Sequence, residues 1–88
     1  MLDYDRKKLG KFLRTERLKV GMTQGEVASK LGYSSPQFIS NIERGLSVVP
    51  LKTLAVLVSE YKINQDTMIK TIMDSQRQIL KKHLSKAK

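Results

Sequence analysis

Residues that end or restart helices recur at short intervals in the first part of the chain. They are Gly21, Gly32, Pro36, Gly45 and Pro50. Glycine adopts the left-handed conformation that ends many helices, and proline suits the first turn of the next one. No stretch shows the strict alternation of polar and apolar residues that is typical of a strand. The sequence therefore predicts an all-α fold made of short helices.

Five helices are expected from the spacing of the apolar residues. At the start of the second, Thr23 and Glu26 can form a capping box, in which each side chain satisfies an exposed backbone N–H. Ser35 is the expected N-cap of the third helix, Pro50 the first residue of the fourth and Asn64 the N-cap of the fifth. The expected inner faces of the first four helices are Leu9, Phe12, Leu13 and Val20; Val27, Ala28 and Leu31; Ile39 and Ile42; and Leu51, Leu54, Ala55, Leu57, Val58 and Tyr61.

The fifth helix is expected to run from Gln65 to about Leu84, because this stretch contains neither glycine nor proline. Asp66 lies in its first turn, where a carboxylate interacts favourably with the helix dipole. Its apolar residues recur at a spacing compatible with pairing to another helix. We expect one folded domain over residues 1–73 and a basic helical extension over residues 74–88.

The net charge of +9 is concentrated at the two ends of the chain. Residues 1–20 carry +4, residues 21–60 are neutral overall and residues 61–88 carry +5. Basic ends around a neutral middle indicate a polyanionic partner that the flanking charges hold while the middle discriminates. A solvated basic surface that serves solubility alone has the same pattern, so charge leaves both interpretations open.

The composition excludes several functional classes. The chain has no cysteine, which rules out disulfides, thiolate zinc sites and cysteine nucleophiles and favours a reducing compartment. The longest apolar run, from Leu54 to Val58, is far shorter than the roughly 20 residues of a membrane span. The single histidine, His83, has no second metal ligand nearby and no catalytic partners. We expect no metal, no cofactor and no enzymatic activity.

Residues 23–45 carry the most information about function. They predict a capped two-turn helix, a turn containing glycine and a second short helix with a polar outer face. This order of elements is typical of a helix-turn-helix. That outer face presents Gln37, Ser40, Asn41 and Arg44. Gln37, Asn41 and Arg44 form a row that fits a major groove, and glutamine or asparagine can contact adenine in bidentate fashion. Base reading is expected from Gln37, Ser40 and Asn41; the alternative is a merely solvated helix surface.

Several residue types at fixed offsets in this region match one known pattern: Met22-Thr23-Gln24, Val27-Ala28, Leu31-Gly32, Ile39-Ser40-Asn41-Ile42-Glu43-Arg44-Gly45 and Pro50. On these residues the chain resembles the lambda-repressor/Cro-type helix-turn-helix DNA-binding domain, also called the XRE family. The resemblance covers roughly residues 9–73. It implies a five-helix lambda-repressor-like fold, double-stranded DNA as the partner, and a homodimer whose two recognition helices read a palindromic site.

The resemblance also implies roles for residues outside the reading row. Arg17 and Glu43 match family positions that form a partly buried ion pair between the first and third helices, which is a structural role. Contacts to the phosphate backbone fix the register of a protein on DNA without reading the sequence. The residues expected to make such contacts are Gln24, Arg44, Arg14 and Lys52.

Two features depart from the common family pattern. Between Gly32 and Ile39 the chain has one residue more than the commonest spacing, with Pro36 at the junction, so a different setting of the third helix is expected. The loop over residues 46–49 has none of the basic residues that many relatives place against the DNA backbone. Phe38 either packs against the second helix or touches a thymine methyl group, and packing is favoured.

The fifth helix has three roles open to it. In the first, it pairs with a second copy through Ile69, Ile72, Met73, Ile79, Leu80 and Leu84. In the second, its apolar side folds back on the domain. In the third, it lies on DNA or another anionic surface through Arg77, Lys81, Lys82, Lys86 and Lys88.

Together these features predict a sequence-specific DNA-binding transcriptional regulator that binds a short palindromic operator as a dimer through its third helix. A cytoplasmic, nucleoid-associated location and no membrane contact are expected. One alternative is a protein-interaction module, such as an antitoxin whose terminal helix neutralises a toxin partner and whose repression of its own gene is secondary. Another is a binder that uses charge alone and has equal affinity for all DNA.

Overall fold

The computed structural model describes residues 4–86. This part of the chain contains no strand, which confirms the all-α fold class. The five helices are α1 (Arg6–Lys19), α2 (Gln24–Lys30), α3 (Gln37–Glu43), α4 (Leu51–Glu60) and α5 (Gln65–Lys86). Helix α3 packs against both α1 and α2, and α5 packs against α1.

The helix ends follow the expected capping chemistry. The Thr23 hydroxyl accepts from the Glu26 N–H at 3.1 Å, and the Glu26 carboxylate accepts from the Thr23 N–H at 2.9 Å. The bond from the Thr23 N–H to the carboxylate, followed by the interaction of the carboxylate with the Thr23 hydroxyl, holds the pKa of Glu26 below its usual value. At the start of α5, the Asn64 side-chain oxygen accepts from the Thr67 N–H at 3.0 Å. Gly32, after α2, has φ +83° and provides the left-handed residue that ends that helix.

Two predicted helix starts were wrong by one residue. Helix α3 begins at Gln37 rather than at Pro36, and the Ser35 hydroxyl accepts only a long 3.4 Å bond from the Gln37 N–H. Helix α4 begins at Leu51, because Pro50 is extended, with ψ 148°. In both cases the proline carbonyl accepts the first helical hydrogen bond, so proline caps the helix instead of entering its first turn.

The core is built mainly from the residues that the periodicity assigned to inner faces. Seven of them are almost completely buried: Leu13, Val27, Ala28, Ile39, Ile42, Leu57 and Tyr61. Helix α4 differs from the prediction at two of its six inner positions, because Leu57 and Tyr61 are buried and Leu54 and Val58 pack against the core. Leu51 is 73% exposed and Ala55 is also exposed. The apolar stripe of α4 is thus wider than the surface that the domain itself covers.

Gly10 is a core position that the sequence analysis did not single out. It lies inside α1, where glycine is less favourable than alanine by about 1 kcal/mol. A Cβ placed on Gly10 would lie 2.7 Å from the Glu43 carbonyl oxygen and closer still to the Ile42 carbonyl oxygen. The lack of a side chain therefore lets the last turn of α3 lie directly on α1.

Helix α5 is unbroken across the expected boundary between residues 73 and 74. Met68 is buried and Ile72 and Ile79 are half-buried, so this part of the helix packs on its own domain. Leu80 and Leu84 are exposed, which rules out the folding-back alternative for the last two turns. The described part of the chain measures 48 × 24 × 20 Å. Lys88 lies outside the described residues.

Candidate nucleic-acid interface

The polar row of α3 is linked by its own hydrogen bonds. Gln37 Nε2 donates to Asn41 Oδ1 at 2.9 Å, and an Arg44 guanidinium nitrogen donates to the same oxygen at 2.9 Å. Gln37 and Arg44 are exposed and Asn41 is half-exposed, as is Ser40 beside it. The three side chains of the row are therefore held together along the outer surface of the helix.

These bonds leave other amide groups of the row available for further hydrogen bonds. Gln37 uses one amide hydrogen on Asn41, and its second amide hydrogen and its carbonyl oxygen belong to an exposed side chain. One donor and one acceptor on the same amide are the set that adenine N7 and N6 require. Asn41 accepts both bonds through its oxygen, so its amide nitrogen is used by neither. The row has chemistry suited to the edge of a base pair.

A buried ion pair sets the position of α3 against the rest of the domain. Arg17 Nε lies 2.7 Å from Glu43 Oε2, and Arg17 Nη2 donates to Glu43 Oε1 at 3.1 Å. The two side chains are 7% and 3% exposed. Arg17 also donates to the Met22 carbonyl at 2.7 Å, which ties the pair to the turn before α2. The hydrogen bonds with Glu43 raise the pKa of Arg17 further above its usual value.

Gln24 joins the same pair from the first turn of α2. Its Nε2 donates to Glu43 Oε1 at 2.9 Å, and the side chain is half-buried. The carboxylate of Glu43 thus holds α1 through Arg17 and α2 through Gln24. Sequence reasoning gave Gln24 only a phosphate contact and missed this bond, because it joins residues that are 19 positions apart.

Tyr61, at the end of α4, is buried beside this network. Burial raises the pKa of its hydroxyl to about 12, and the negative charge of Glu43 acts in the same direction. An ionised Tyr61 would place a second negative charge near the Glu43 carboxylate. The neutral phenol therefore belongs to the folded state.

The family follows from this arrangement together with a match to a family model. A helix-turn-helix model matches residues 13–64, which covers α2, the turn and α3. The chain belongs to the XRE-type helix-turn-helix family. It is a DNA-binding transcriptional regulator of that family, with the expected lambda-repressor-like fold. No curated protein matches the sequence.

Two solved structures of regulators are similar to this helix-turn-helix protein. One is the clp gene regulator ClgR from C. glutamicum, with a TM-score of 0.67 and 26% identity; the match covers 86% of this chain and 96% of that one. The other is a point mutant of the restriction-modification controller protein C.Esp1396I, with a TM-score of 0.64 and 26% identity. That match covers 92% of this chain and 98% of the other.

The turn of this helix-turn-helix is closed by two aromatic rings. The ring centroids of Tyr33 and Phe38 are 5.2 Å apart and their planes are inclined by 59°. Phe38 is half-buried and packs against the core, in agreement with the favoured packing role. The ring pair spans the segment that is one residue longer than the common spacing, with Pro36 inside it, and so fixes how α3 leaves the turn.

The loop between α3 and α4 is held by a hydrogen bond to the segment that precedes α1. The Val49 N–H donates to the Tyr4 hydroxyl at 3.2 Å, and Val49 is buried. Sequence reasoning gave no role to Tyr4, and no local signal marks a contact between residues 45 positions apart. The contact holds the loop in place without any basic residue.

The remaining residues expected to contact the DNA backbone, Arg14 and Lys52, are both exposed. Arg14 lies on α1, and Lys52 lies in the first turn of α4. His83 is exposed, and residues 4–86 contain no cluster of three potential metal ligands. None of the helices over these residues is long and apolar enough to cross a membrane.

Proposed function

We propose that this regulator reads a short palindromic operator as a homodimer, with α3 of each copy in the major groove. The observation that carries the proposal is the exposed row of Gln37, Asn41 and Arg44, which is joined by two 2.9 Å hydrogen bonds on the outer surface of α3. A row prepared in this way loses little conformational entropy when it meets DNA. Cytoplasmic, nucleoid-associated localisation is part of the same proposal.

Within this proposal the polar residues of α3 divide into two roles. Gln37, Ser40 and Asn41 contact base edges, and each good bidentate pair contributes about 1–3 kcal/mol of discrimination. Arg44 ends the row and contacts a phosphate. Gln24 uses one amide hydrogen on Glu43 and has a second for a phosphate.

Arg14 and Lys52 complete the proposed phosphate contacts. Both are exposed cations on helices of the same domain as α3. Such contacts fix the register of the protein and carry no sequence information. Their removal should weaken binding to every duplex by the same factor.

The dimer is proposed to form through one side of α5. Four exposed apolar residues lie within about 60° of one another around this helix and are called here the α5 strip. The α5 strip consists of Ile69, Met73, Leu80 and Leu84. Ile72 and Ile79, which the sequence analysis placed in the same interface, are half-buried against their own domain.

The α5 strip continues onto α4 through two open grooves of about 240 and 290 Å³. Both are lined almost entirely by apolar side chains, including Leu51, Leu54 and Ile69. Contiguous exposed apolar surface of this kind is typical of protein–protein interaction sites. A two-fold axis beside α5 would place the same surface of a second copy against it, as a dimer on a palindrome requires.

The oligomeric state tests the dimer. In the micromolar range, sedimentation should give the wild type twice the 10.0 kDa mass of one chain. The double variant Met73→Glu/Leu80→Glu should sediment as a monomer, because two carboxylates would be buried in the interface. The matched control is Leu18→Glu/Leu46→Glu, which changes two exposed leucines off the α5 strip and should stay dimeric. A monomeric wild type, or a dimeric strip variant, contradicts the proposed interface.

Selection from random-sequence duplexes tests the function as a whole. We would use about 150 mM salt, where nonspecific binding weakens to roughly 10⁻⁴–10⁻⁶ M. The proposal predicts enrichment of a palindrome whose half-sites lie about 34 Å apart, one turn of the duplex. Failure of a folded, helical protein to enrich any sequence would contradict it and favour a protein-interaction module that uses the α5 strip.

A further inference from the structure

We infer that the two basic ends of the chain form one phosphate-binding surface that contacts the DNA flanking the operator. This surface, called here the terminal basic patch, consists of Lys7, Lys8, Lys82 and Lys86. The inference rests on the proposed function, because it assumes that α3 occupies a major groove. It adds a contact region outside the helix-turn-helix.

The fold brings the two ends together through direct hydrogen bonds. The Asp5 N–H donates to the Ser75 hydroxyl at 2.6 Å, and Lys8 Nζ donates to Gln78 Oε1 at 3.2 Å. Each bond joins residues 70 positions apart. A polar cavity of about 150 Å³ lies between the start of α1 and α5 and is lined by Asp5, Lys8, Ser75, Gln78, Ile79 and Lys82. Lys8 and Lys82 therefore share one surface.

The terminal basic patch adjoins the end of the recognition helix. Gly45 follows Arg44, and a Cβ placed on Gly45 would lie 2.7 Å from Lys7 Cγ and 2.9 Å from the Lys7 backbone. Lys7 is thus in contact with the residue that follows the polar row. The exposed cations run from Arg44 through Lys7 and Lys8 to Lys82, and Lys86 lies one turn further along α5.

The local charge balance favours an anion at this surface. Among residues 4–86, Asp5 is one of two acidic residues that line the cavities beside the patch, and its carboxylate is occupied as the N-cap of α1, accepting from the Lys8 N–H at 3.0 Å. The other, Asp74, lines the adjoining cavity, and no acidic residue follows it in α5. None of the ion pairs formed within residues 4–86 involves a lysine of the terminal basic patch. Four exposed ammonium groups, of which that of Lys8 also donates to Gln78, therefore have no ion-pair partner within the described residues.

The side of α5 on which the patch lysines lie favours contact with flanking DNA rather than with the centre of the operator. Lys82 and Lys86 each lie two residues beyond Leu80 and Leu84, which rotates them by about 200° around the helix. They consequently face away from the α5 strip and from a dimer partner seated on it. Flexible lysines bind phosphates as point charges, so this contact adds affinity without sequence preference.

The test compares two duplexes that carry the selected operator, one ending at the palindrome and one extended at one end by about one helical turn. With all four patch lysines each on a phosphate, the wild-type preference for the extended duplex should fall about 150-fold between 50 and 200 mM salt. The variant Lys8→Gln/Lys82→Gln/Lys86→Gln keeps only Lys7, so its preference for the extended duplex should be much smaller and should fall only about 3.5-fold over the same salt range. The control Lys30→Gln/Lys62→Gln/Lys70→Gln removes the same charge elsewhere and should retain the wild-type ratio.

The outcomes separate this inference from the proposed function. An operator preference with equal affinity for the two duplexes overturns the terminal basic patch and leaves sequence reading by α3 intact. A patch variant that keeps the wild-type ratio also overturns it. Loss of all operator preference in the wild type overturns both. Wild-type binding to vesicles containing phosphatidylserine, abolished in the patch variant and without any flank effect on DNA, would assign the patch to a membrane surface and refute the inference.

Discussion

The substitution Gly10→Ala tests how the domain positions α3. Gly10 lies in the interior of α1, and the carbonyl groups of Ile42 and Glu43 lie directly above it. Two opposite effects act on this substitution. Alanine is the better helix former by about 1 kcal/mol. Its methyl group, however, must occupy space that backbone atoms of α3 already fill.

The structure indicates which effect is larger. The new Cβ would lie 2.7 Å from the Glu43 carbonyl oxygen, whereas ordinary contact begins at 3.4 Å, so at least 0.7 Å of separation is required. The obstructing atoms belong to the backbone and cannot rotate aside as a flexible side chain would. Overpacking costs about 1–3 kcal/mol, and contact with three backbone atoms places this case near the upper end. We expect a net loss of about 2 kcal/mol in the free energy of unfolding.

Gly25→Ala is the matched control. Gly25 lies in the first turn of α2, and its added Cβ would meet only the Thr23 hydroxyl, at 3.9 Å. Without a clash, this substitution should stabilise the protein by about 0.4–1 kcal/mol. Urea unfolding followed by far-ultraviolet circular dichroism measures both changes. A Gly10→Ala variant as stable as the wild type or more so would refute the close approach of α1 and α3.

Two further predictions concern the buried network. Arg17→Ala should lower the free energy of unfolding by about 3–5 kcal/mol, because Glu43 is left buried and unpaired. Urea unfolding measures this loss. The control Lys19→Ala breaks only the exposed pair with Glu16 and should change the free energy of unfolding little. If the two substitutions cost the same, the ion pair does not hold α3. Burial raises the pKa of Tyr61 to about 12 in the folded protein, whereas an unfolded tyrosine has a pKa of about 10. The neutral hydroxyl therefore contributes fully to the free energy of unfolding below about pH 10, and this contribution is lost as the pH rises towards 12. Alkaline unfolding curves should therefore shift to higher pH in Tyr61→Phe, and an unshifted curve would contradict the burial of the hydroxyl.

Local chemistry made much of the fold predictable from sequence. Thr23 and Glu26 mark the start of α2 because a capping box is complete within four residues. Gly32 marks the end of α2 because a left-handed residue is needed there. The two helix starts were misplaced by one residue because proline is tolerated both as a cap and in the first turn, and only the tertiary arrangement decides between these positions.

Contacts between distant residues account for what the sequence did not reveal. Gly10 has no local role in α1, and its reason is the backbone of α3. Tyr4 reaches Val49, and Gln24 reaches Glu43, over separations that no spacing rule covers. The periodicity of apolar residues also predicts which side of a helix is apolar, but it does not show whether another helix of the domain buries that side. Leu51 was therefore placed in the core, although it lies on an open surface.

In the candidate site as well, the sequence predicts some features, whereas others depend on the three-dimensional structure. That Gln37, Asn41 and Arg44 share one row follows from the helical repeat alone. Their mutual hydrogen bonds, with Asn41 as the common acceptor, depend on side-chain conformations that no pattern specifies. The convergence of the two basic ends through Lys8 and Gln78 likewise required the three-dimensional arrangement.

The most direct test of the account is the base preference of Gln37→Ala at each position of the selected operator. The exposed Gln37 side chain packs against nothing in the core, so helicity and unfolding should match the wild type. We predict that one base position per half-site loses its preference by about 1–3 kcal/mol, while the other positions keep theirs. An unchanged preference at every position would show that Gln37 reads no base and would contradict the proposed register of α3 in the groove.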